Sequence, residues 1–267
     1  MLRLAVGQME PVIDDPKGNL KKMDAMLKSA TEQEVDVLVL PELLNSGYVF
    51  KSEEEAEKLS EVIPKGPFSH RLLDWSAKGG MVAAGLCEKT PDSLYNSAAL
   101  FSKGKHVSTY RKIHLFDEEK LWFSAGTAEP PIVEHDGFRF GVIICFDWAF
   151  PEISRVLALN GAQVILHPAN LILRSLYCSK AMITRSIENR VFTATASRVG
   201  VERELKFLGA SQVTDPRGHV LLSMDDTETG VSWVDIDPAA ADDKTLTDRN
   251  DVLKDRQPDL YRRIIES

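Results

Sequence analysis

Hydrophobic positions in the first forty residues follow the strand period, then the helix period, then the strand period again. Apolar side chains alternate with other residues over Leu2–Gln8, which predicts a strand. The pair Asp15-Pro16 is typical of a helix N-cap and first helical residue, and this helix is predicted to run through Ala30. Residues 35–40 form an almost continuous apolar run, which indicates a strand covered on both faces. This order predicts a layered α/β unit.

The rest of the chain continues the alternation of strands and helices. A helix predicted over residues 69–78 is followed by an antiparallel meander of three strands, residues 81–87, 96–102 and 105–111. The second half is predicted to contain a strand (138–144), a helix (151–160), a strand (163–166), a helix (177–189) and four strands (192–196, 208–213, 219–224 and 230–236). We therefore expect two halves of similar order, without a residue-level repeat between them.

The two halves lack a linker between them. The joining region, residues 125–131, is short and flanked by apolar residues. We therefore predict a single domain over residues 1–267. Its last stretch, residues 242–267, is dense in Asp, Lys and Arg with apolar side chains interspersed. This stretch is either a solvated terminus or an arm packed on another subunit.

Composition narrows the class of protein. Of the 267 residues, 43% are hydrophobic and 27% are charged, which is typical of a folded globular chain. The formal net charge of −8 has the wrong sign for a protein that neutralises phosphates, so we expect neither nucleic acid nor an anionic membrane surface as a partner. The sequence lacks an apolar run of the roughly 18 residues that a membrane helix needs, and its start lacks a signal-peptide pattern. We therefore expect a cytoplasmic protein.

The sequence lacks the common motifs for metal and phosphate binding. Three cysteines without a C-x-x-C pair encode neither a disulfide framework nor a structural zinc site. The patterns G-x-x-x-x-G-K-[ST], G-x-G-x-x-G and H-E-x-x-H are absent, as is the serine motif G-x-S-x-G. We therefore expect a protein without a bound metal or cofactor.

Three segments place a chemically versatile side chain at the end of a predicted strand. Cys145 follows an apolar strand and precedes a predicted helix, so it lies in a strand-to-helix turn. Glu42 follows another apolar strand, Lys112 ends a third, and Glu119 comes seven residues after that lysine. Each residue taken singly has a commoner explanation. A free cysteine is usually a small buried hydrophobic residue, a glutamate often caps a helix, and a lysine is usually solvated.

Taken together, the three segments resemble the signatures of the nitrilase superfamily of carbon-nitrogen hydrolases. A P-E pair at a strand end, an R-K-x-H-L-F motif and a C-F-D-W-x-F-P-E motif occur in this order at residues 41–42, 111–116 and 145–152. The resemblance covers nearly the whole chain and also includes residues 167–170, 185–190 and 250–256. Three ordered motifs at the expected spacing form a specific signal, whereas one motif alone would not.

The resemblance implies a four-layer α-β-β-α sandwich, which is an α/β fold. In this fold Glu42, Lys112 and Cys145 would converge at strand ends, with Glu119 beside them as a second carboxylate. It also implies a homodimer or a higher homo-oligomer, formed through the helices that bear residues 153–159 and 177–189, with a contribution from the C-terminal arm.

Two loops, residues 43–50 and 171–176, would line the substrate pocket. They differ among subfamilies of the superfamily, so they leave the substrate undetermined. Aromatic residues near the motifs pack structurally more often than they contact substrate. The candidate substrate-binding residues are Phe146, Tyr48, Trp148 and Asn170.

The four candidate catalytic residues suit the hydrolysis of an amide. A thiolate is the attacking form of cysteine, and the Lys112 ammonium beside Cys145 would lower the thiol pKa from its usual value of about 8.5. Glu42 would move protons to and from the reacting groups, with its pKa raised by the charge of Glu119. The Lys112 ammonium and the Phe146 backbone N–H would hold the oxyanion, and water would then hydrolyse a thioester.

Several alternatives stay open from the sequence. Small linear amides are the leading substrate class, but a small aliphatic nitrile would reach the same thioester through a thioimidate, and N-carbamoyl compounds would use the same residues. A papain-like hydrolase would instead pair Cys145 with His167 or His114. A catalytically inactive homologue that binds a partner is the alternative outside enzymology.

Overall fold

The computed structural model, which describes residues 1–172 and 176–266, contains two six-stranded sheets and two short hairpins among those residues. The strands are β1 (Leu2–Gln8), β2 (Val37–Leu40), β3 (Met81–Lys89), β4 (Leu94–Ser102), β5 (Lys105–Arg111), β6 (Ile132–His135), β7 (Phe138–Val142), β8 (Val164–Ala169), β9 (Phe192–Ser197), β10 (Val199–Glu202), β11 (Leu205–Leu208), β12 (Gln212–Thr214), β13 (Val220–Ser223), β14 (Gly230–Ile236), β15 (Thr245–Thr247) and β16 (Asn250–Asp251). The α-helices are α1 (Pro16–Glu32), α2 (Glu53–Leu59), α3 (Pro67–Ser76), α4 (Glu119–Trp122), α5 (Pro151–Leu159) and α6 (Leu176–Asn189). Short 3-10 helices cover Cys145–Ala149, Pro238–Asp242, Pro258–Leu260 and Arg262–Ile264.

The two large sheets have matching topologies. The first has the order β14-β1-β2-β3-β4-β5, with β1, β2 and β3 parallel and the other neighbours antiparallel. The second has the order β13-β12-β9-β8-β7-β6, with β7, β8 and β9 parallel. This match confirms the two halves of similar order that the hydrophobic pattern predicts.

Alternate residues of the strands face two different cores. Val39 of β2 packs with Val142 of β7 in the core between the sheets, and Leu157 of α5 belongs to the same continuous cluster. Leu38 of β2 points the other way, into a core with Met23 of α1. Burial on both faces explains why the central strands are continuously apolar. The predicted four-layer α-β-β-α sandwich is confirmed.

One predicted strand, residues 208–213, is wrong. The chain instead ends β11 at Leu208 and starts β12 at Gln212, on two different sheets. Between them Gly209 and Ala210 adopt left-handed backbone conformations with φ of 56° and 59°. A strand cannot continue through left-handed residues, although the apolar side chains on either side suggest one.

Several element boundaries also differ from the predictions. The predicted helix 69–78 is Pro67–Ser76, because Pro67 occupies its first turn. The predicted strand 138–144 ends two residues earlier, at Val142, and Cys145 opens a 3-10 helix. The unpredicted strands and α-helices are α2, α4, β6, β10, β11 and the two C-terminal hairpin strands, β15 and β16.

The described part of the C-terminal arm contains the β15–β16 hairpin and two short 3-10 turns. Leu260 and Ile265 expose 79% and 84% of their surface. The packing of this arm on a second subunit stays a prediction. None of the helices among residues 1–172 and 176–266 has the length and apolarity to cross a bilayer.

Candidate active site

Strand direction brings three of the candidate residues to one edge of the first sheet. Glu42 follows β2 and Lys112 follows β5, and these strands run in the same direction. Both side chains are fully buried. Gly85 of β3 makes room for this arrangement, because a Cβ at that position would lie 2.3 Å from the Glu42 Cα. Glu119 opens the short helix α4 and is also buried.

Lys112 joins the two carboxylates. Its Nζ donates to Glu42 Oε1 and to Glu119 Oε1, each at 2.8 Å. Glu42 Oε1 also accepts from Asn96 Nδ2 at 2.6 Å. Glu119 Oε1 also accepts from the Tyr48 hydroxyl at 2.8 Å. Each carboxylate therefore has one oxygen held by two donors, and the lysine is fixed between them.

Burial and charge set the protonation states of this cluster. Burial alone would lower the pKa of Lys112, but the charges of Glu119 and Glu42 outweigh it and raise the pKa, which keeps the ammonium form. Burial raises the pKa of Glu119, and the charge of Lys112 opposes that shift. Burial and the charge of Glu119 raise the pKa of Tyr48, so its phenol stays a hydrogen-bond donor.

Cys145 approaches from the second sheet. It is the first residue of the 3-10 helix after β7, is 7% exposed, and has a left-handed backbone with φ of 37°. Its thiol donates to the Asn170 backbone carbonyl at 3.7 Å. A non-glycine residue in this conformation is strained, and such strain often occurs at functional sites.

The thiol of Cys145 has a pKa well above its usual value. Burial raises it most, the charge of Glu42 adds to the rise, and Lys112 opposes it without prevailing. Lys112 lowers this pKa as expected, but desolvation and two carboxylates outweigh one ammonium, so the pKa of the thiol is raised overall. The raised pKa favours the neutral thiol form of Cys145.

Asp147 ties the cysteine turn to the segment that carries Lys112. Its Oδ2 accepts from the Ile144 backbone N–H at 2.8 Å and from the Tyr110 hydroxyl at 2.9 Å. Its Oδ1 accepts from His114 Nδ1 at 2.7 Å. Tyr110 and His114 lie two residues before and after Lys112 in the sequence. One fully buried carboxylate thus connects both sheets at the site.

Both histidines considered as bases are engaged elsewhere. His167 Nε2 donates to the Cys145 carbonyl oxygen at 3.0 Å, so Nδ1 accepts from the Thr195 hydroxyl, also at 3.0 Å. Burial lowers the pKa of His167 to about 4, which keeps the ring neutral. His114 bonds to Asp147 and stacks on Phe150 with ring centroids 3.7 Å apart. This geometry gives the papain-like alternative no support.

Three of the four candidate substrate-binding residues line one small pocket with Cys145. Its cavity volume is about 20 Å³. Its lining residues are Phe116, Cys145, Phe146, Trp148, Asn170, Leu171, Ile172 and Cys178. Tyr48 lines a neighbouring cleft, which shares Phe116 and Ile172 with the pocket. Residues 173–175 of the predicted loop lie outside the described residues.

Three polar side chains of the site have atoms without a partner in the described part of the chain, and one of these atoms is the buried Oδ1 of Asn96. Glu42 Oε2 is buried and unbonded, while Oε1 carries both donors. Asn170 is 1% exposed, and neither its Oδ1 nor its Nδ2 has a partner. Buried polar atoms are normally satisfied, so unpartnered atoms in a candidate site indicate groups kept for a ligand.

Sequence analysis missed Asn96, Asp147 and Cys178. Asn96 was detectable as an amide in the otherwise largely apolar strand β4, where it is fully buried. Asp147 lies inside a recognised motif, but its contacts depend on the distant segment 110–114. Cys178 gave no signal, since it is an isolated cysteine in a predicted helix. No group of three or more side chains suited to holding a metal occurs among the described residues.

Comparison with known proteins places this arrangement in a family. The sequence pattern of the carbon-nitrogen hydrolases matches residues 3–244. A protein named nitrilase from Pyrococcus abyssi is 41% identical, and the alignment covers 98% of this chain and 99% of that protein. The chain belongs to the carbon-nitrogen hydrolase family. Its resemblance to the nitrilase superfamily is thereby confirmed.

Other carbon-nitrogen hydrolases with similar chains include amidases. A 2-oxoglutaramate amidase from Bacillus subtilis is 31% identical over 92% of this chain and 94% of its own length. The crystal structure of an amidase from Nesterenkonia sp. superposes with a TM-score of 0.83 at 28% identity, covering 98% of this chain and 96% of that chain. The present protein is thus a carbon-nitrogen hydrolase whose fold matches that of an amidase.

Proposed function

We propose that this carbon-nitrogen hydrolase converts small linear amides to a carboxylic acid and ammonia through a thioester on Cys145. Glu42 is the proposed acid and base, Lys112 the proposed oxyanion donor, and Glu119 holds Lys112 in place. The hydrogen-bonded cluster of these charged groups and its effect on the Cys145 pKa support these roles. A related Nesterenkonia amidase was crystallised with acrylamide added at its active-site cysteine.

The proposal of an amide rather than a nitrile substrate rests on the unpartnered polar atoms of the site. The site offers three acceptors, Glu42 Oε2, Asn96 Oδ1 and Asn170 Oδ1, and one donor group, Asn170 Nδ2, without a partner among the described residues. A primary amide brings two N–H donors and a carbonyl acceptor. A nitrile brings an acceptor and no donor, so it would leave the buried acceptors unpaired at a cost of about 1–3 kcal/mol each.

The proposed first step transfers one proton and forms one bond. Glu42 Oε2 takes the proton from the Cys145 thiol while the sulfur attacks the amide carbon. The C=O electron pair moves to oxygen and produces an oxyanion. The raised pKa of Cys145 makes this concerted loss of a proton necessary, because the resting thiol is neutral.

Lys112 is suited to stabilise the oxyanion. An ammonium has three N–H donors, and among the described residues two of them reach Glu42 and Glu119. The third is available for the substrate oxygen. The Phe146 backbone N–H, in the first turn of the 3-10 helix, is the proposed second donor.

The second half of the proposed reaction regenerates the enzyme. Protonated Glu42 gives its proton to the leaving nitrogen, the C–N bond breaks and ammonia departs. Glu42 then takes a proton from water, whose oxygen attacks the thioester carbon. The C–S bond breaks, the sulfur recovers a proton from Glu42, and the acid leaves.

A substrate panel tests this function. The purified protein is incubated with aliphatic amides, dicarboxylic monoamides, N-carbamoyl amino acids and nitriles, and ammonia release is measured, with Cys145→Ala as the inactive control. We expect kcat/KM for the best amide to exceed that for the matching nitrile by about 10²-fold. A faster nitrile would favour the nitrilase alternative. The absence of both turnover and a covalent adduct on Cys145 would favour an inactive homologue.

Asn170→Ala tests the observation behind the choice of substrate. We expect kcat/KM for the amide to fall about 10-fold or more, because one hydrogen-bonding partner of the amide is lost. Turnover of a nitrile should change less, since it cannot use the Asn170 acceptor. Equal losses for both substrates would show that Asn170 does not distinguish them.

A further inference from the structure

Another buried carboxylate, Glu202, lies outside the site and outside the motifs discussed so far. It ends β10, is 4% exposed, and accepts four hydrogen bonds. Its Oε1 accepts from the backbone N–H groups of Tyr48 and Val49, both at 2.7 Å. Its Oε2 accepts from the Ile13 backbone N–H and from Arg198, both at 3.1 Å. Three of these donors belong to loops that follow β1 and β2.

Arg198 completes the support of this carboxylate. The guanidinium is fully buried, pairs with Glu202 and donates to the Pro11 carbonyl oxygen at 2.6 Å. It also stacks over Phe207, 3.9 Å from the ring centroid. Phe207 also packs against the Tyr48 ring in a T-shaped arrangement, with centroids 5.8 Å apart and planes at 83°. The backbone and the ring of Tyr48 are thus both held from the β10–β11 hairpin.

The loop beside Glu202 is shaped to receive it. Gly47 has a left-handed backbone with φ of 82°, and a Cβ there would lie 2.6 Å from Glu202 Oε2. A side chain at this position would push the loop away from the carboxylate. The sequence therefore leaves the space that lets the Tyr48 amide reach Glu202.

The far end of Tyr48 lies in the catalytic cluster. Its hydroxyl donates to Glu119 Oε1, the oxygen that also accepts from Lys112. A continuous chain of contacts therefore runs from Glu202 through Tyr48 to Glu119 and Lys112. Movement of the Tyr48 backbone would draw its hydroxyl from Glu119 and loosen the support of the ammonium.

We infer that Glu202 is a positioning residue for the reaction, which fixes the Tyr48 backbone so that the Tyr48 hydroxyl holds Glu119 against Lys112. This inference rests on the proposed function only for its effect on turnover. It assigns the β10–β11 hairpin a role in aligning the site, although the hairpin contributes no side chain to the hydrogen-bonded catalytic cluster.

A double-mutant cycle of Glu202→Ala and Tyr48→Phe tests the inference. We expect each single variant to lower kcat by about 10- to 100-fold with a smaller change in KM, since alignment rather than binding is lost. The double variant should lose no more than the larger single loss, because both act on one contact. Losses that multiply, or unchanged kcat in Glu202→Ala, would overturn the inference.

The pH profile separates positioning from a general loss of stability. The Tyr48 hydrogen bond lowers the pKa of Glu119, so losing it raises that pKa. The acidic limb of kcat/KM should therefore move to higher pH in both single variants, by the same amount. Glu202→Gln keeps an acceptor oxygen for the Tyr48 and Val49 amides and should recover part of kcat. It also serves as the test variant if Glu202→Ala does not fold. If the acidic limb of kcat/KM stays at the wild-type pH in these variants, the inference is contradicted.

The same double-mutant cycle can also be measured without turnover. Chloroacetamide alkylates Cys145, and the rate of this reaction is followed by the intact mass of the protein. We expect Glu202→Ala and Tyr48→Phe to slow alkylation to the same extent, and the double variant to be no slower. The exposed Glu134 of β6 provides the matched control Glu134→Gln, which should behave like wild type. If no amide is hydrolysed but the cycle still shows coupling, the proposed function fails and the inference stands. Independent effects on alkylation would refute the inference whatever the substrate.

Discussion

Burial decides the protonation states of individual residues in this site. Lys112 has no solvent contact, yet two carboxylates hold it as an ammonium. Among the described residues, Lys112 is the ammonium that acts on Cys145, and desolvation together with Glu42 outweighs it and favours the thiol. The same cluster therefore stabilises a charge on nitrogen and opposes one on sulfur. This asymmetry supports the proposal that Glu42 takes the proton during attack rather than before it.

Lys112→Ala should nearly abolish turnover while leaving the fold intact. The loss of one oxyanion donor costs on the order of 10²- to 10³-fold in kcat, and two buried carboxylates lose their counter-ion. Amide turnover and circular dichroism are compared with the exposed control Lys120→Ala. Substantial activity in Lys112→Ala would instead favour a cysteine-histidine pair.

The burial of His167 is expected to make the stability of the protein depend on pH. Its pKa is lowered from 6.5 to about 4 by burial, so the folded state takes up a proton less readily than the unfolded state. The contribution of His167 to the free energy of unfolding is fully present above about pH 6.5 and is lost as the pH falls towards 4. This contribution amounts to roughly 3 kcal/mol. Urea unfolding of wild type and His167→Gln at several pH values measures it. We expect a flatter profile in the variant, and parallel profiles would contradict this assignment.

At the scale of elements, strand ends and one carboxylate align the two sheets. Parallel β2 and β3 and the returning β5 bring Glu42 and Lys112 to one edge, while β7 brings Cys145 to the facing edge. Asp147 then bonds both segments, so the left-handed turn at Cys145 is held against the Lys112 segment. The packing of the two sheets brings the two segments close together, and the Asp147 carboxylate fixes their relative position.

Asp147→Asn should lower both kcat and stability. The amide nitrogen cannot accept the hydrogen bonds that one carboxylate oxygen receives, which leaves buried donors unpaired at a cost of about 1–3 kcal/mol. We expect kcat to fall about 10- to 100-fold as the Cys145 turn shifts. Steady-state kinetics and urea unfolding are compared with Asp136→Asn in the exposed β6–β7 turn, which should change little. A loss of stability with normal kcat would show that Asp147 supports the fold alone.

Local patterns predicted the long elements and missed the short ones. The continuous apolar run of β2 and the Asp15-Pro16 start of α1 are local signals, and the structure agrees with them within a few residues. The strands β6 and β10 have four residues each, too few for a periodic pattern to be distinct. The false strand at 208–213 arose because adjacent apolar segments on separate sheets look continuous in sequence.

At the scale of the whole molecule, the C-terminal arm leaves an apolar surface exposed. A groove between α5 and the arm is lined by residues that include Leu159, Tyr261 and Ile264. Ile264 and Ile265 expose 56% and 84% of their surface. An apolar patch of this kind is commonly covered by another protein. We propose that a second copy of the chain covers it.

Light scattering after size exclusion tests this assembly. We expect a mass of at least twice 29.7 kDa for wild type, and a smaller mass for the double variant Ile264→Asp, Ile265→Asp, because charge at the interface opposes association. The exposed Val107 of β5 provides the control Val107→Asp, which should keep the wild-type mass. A wild-type mass of 29.7 kDa would refute the proposal.

The sequence alone determined the order of the long strands and helices and the three motifs that led to the family. These are local signals, since periodicity and motif spacing are read within a few residues of each position. Only the tertiary structure decided that Cys145 rests as a thiol, that Asp147 joins two segments and that Glu202 reaches Tyr48. Those properties depend on desolvation and on contacts between residues more than thirty positions apart. Local sequence patterns cannot reveal such relations.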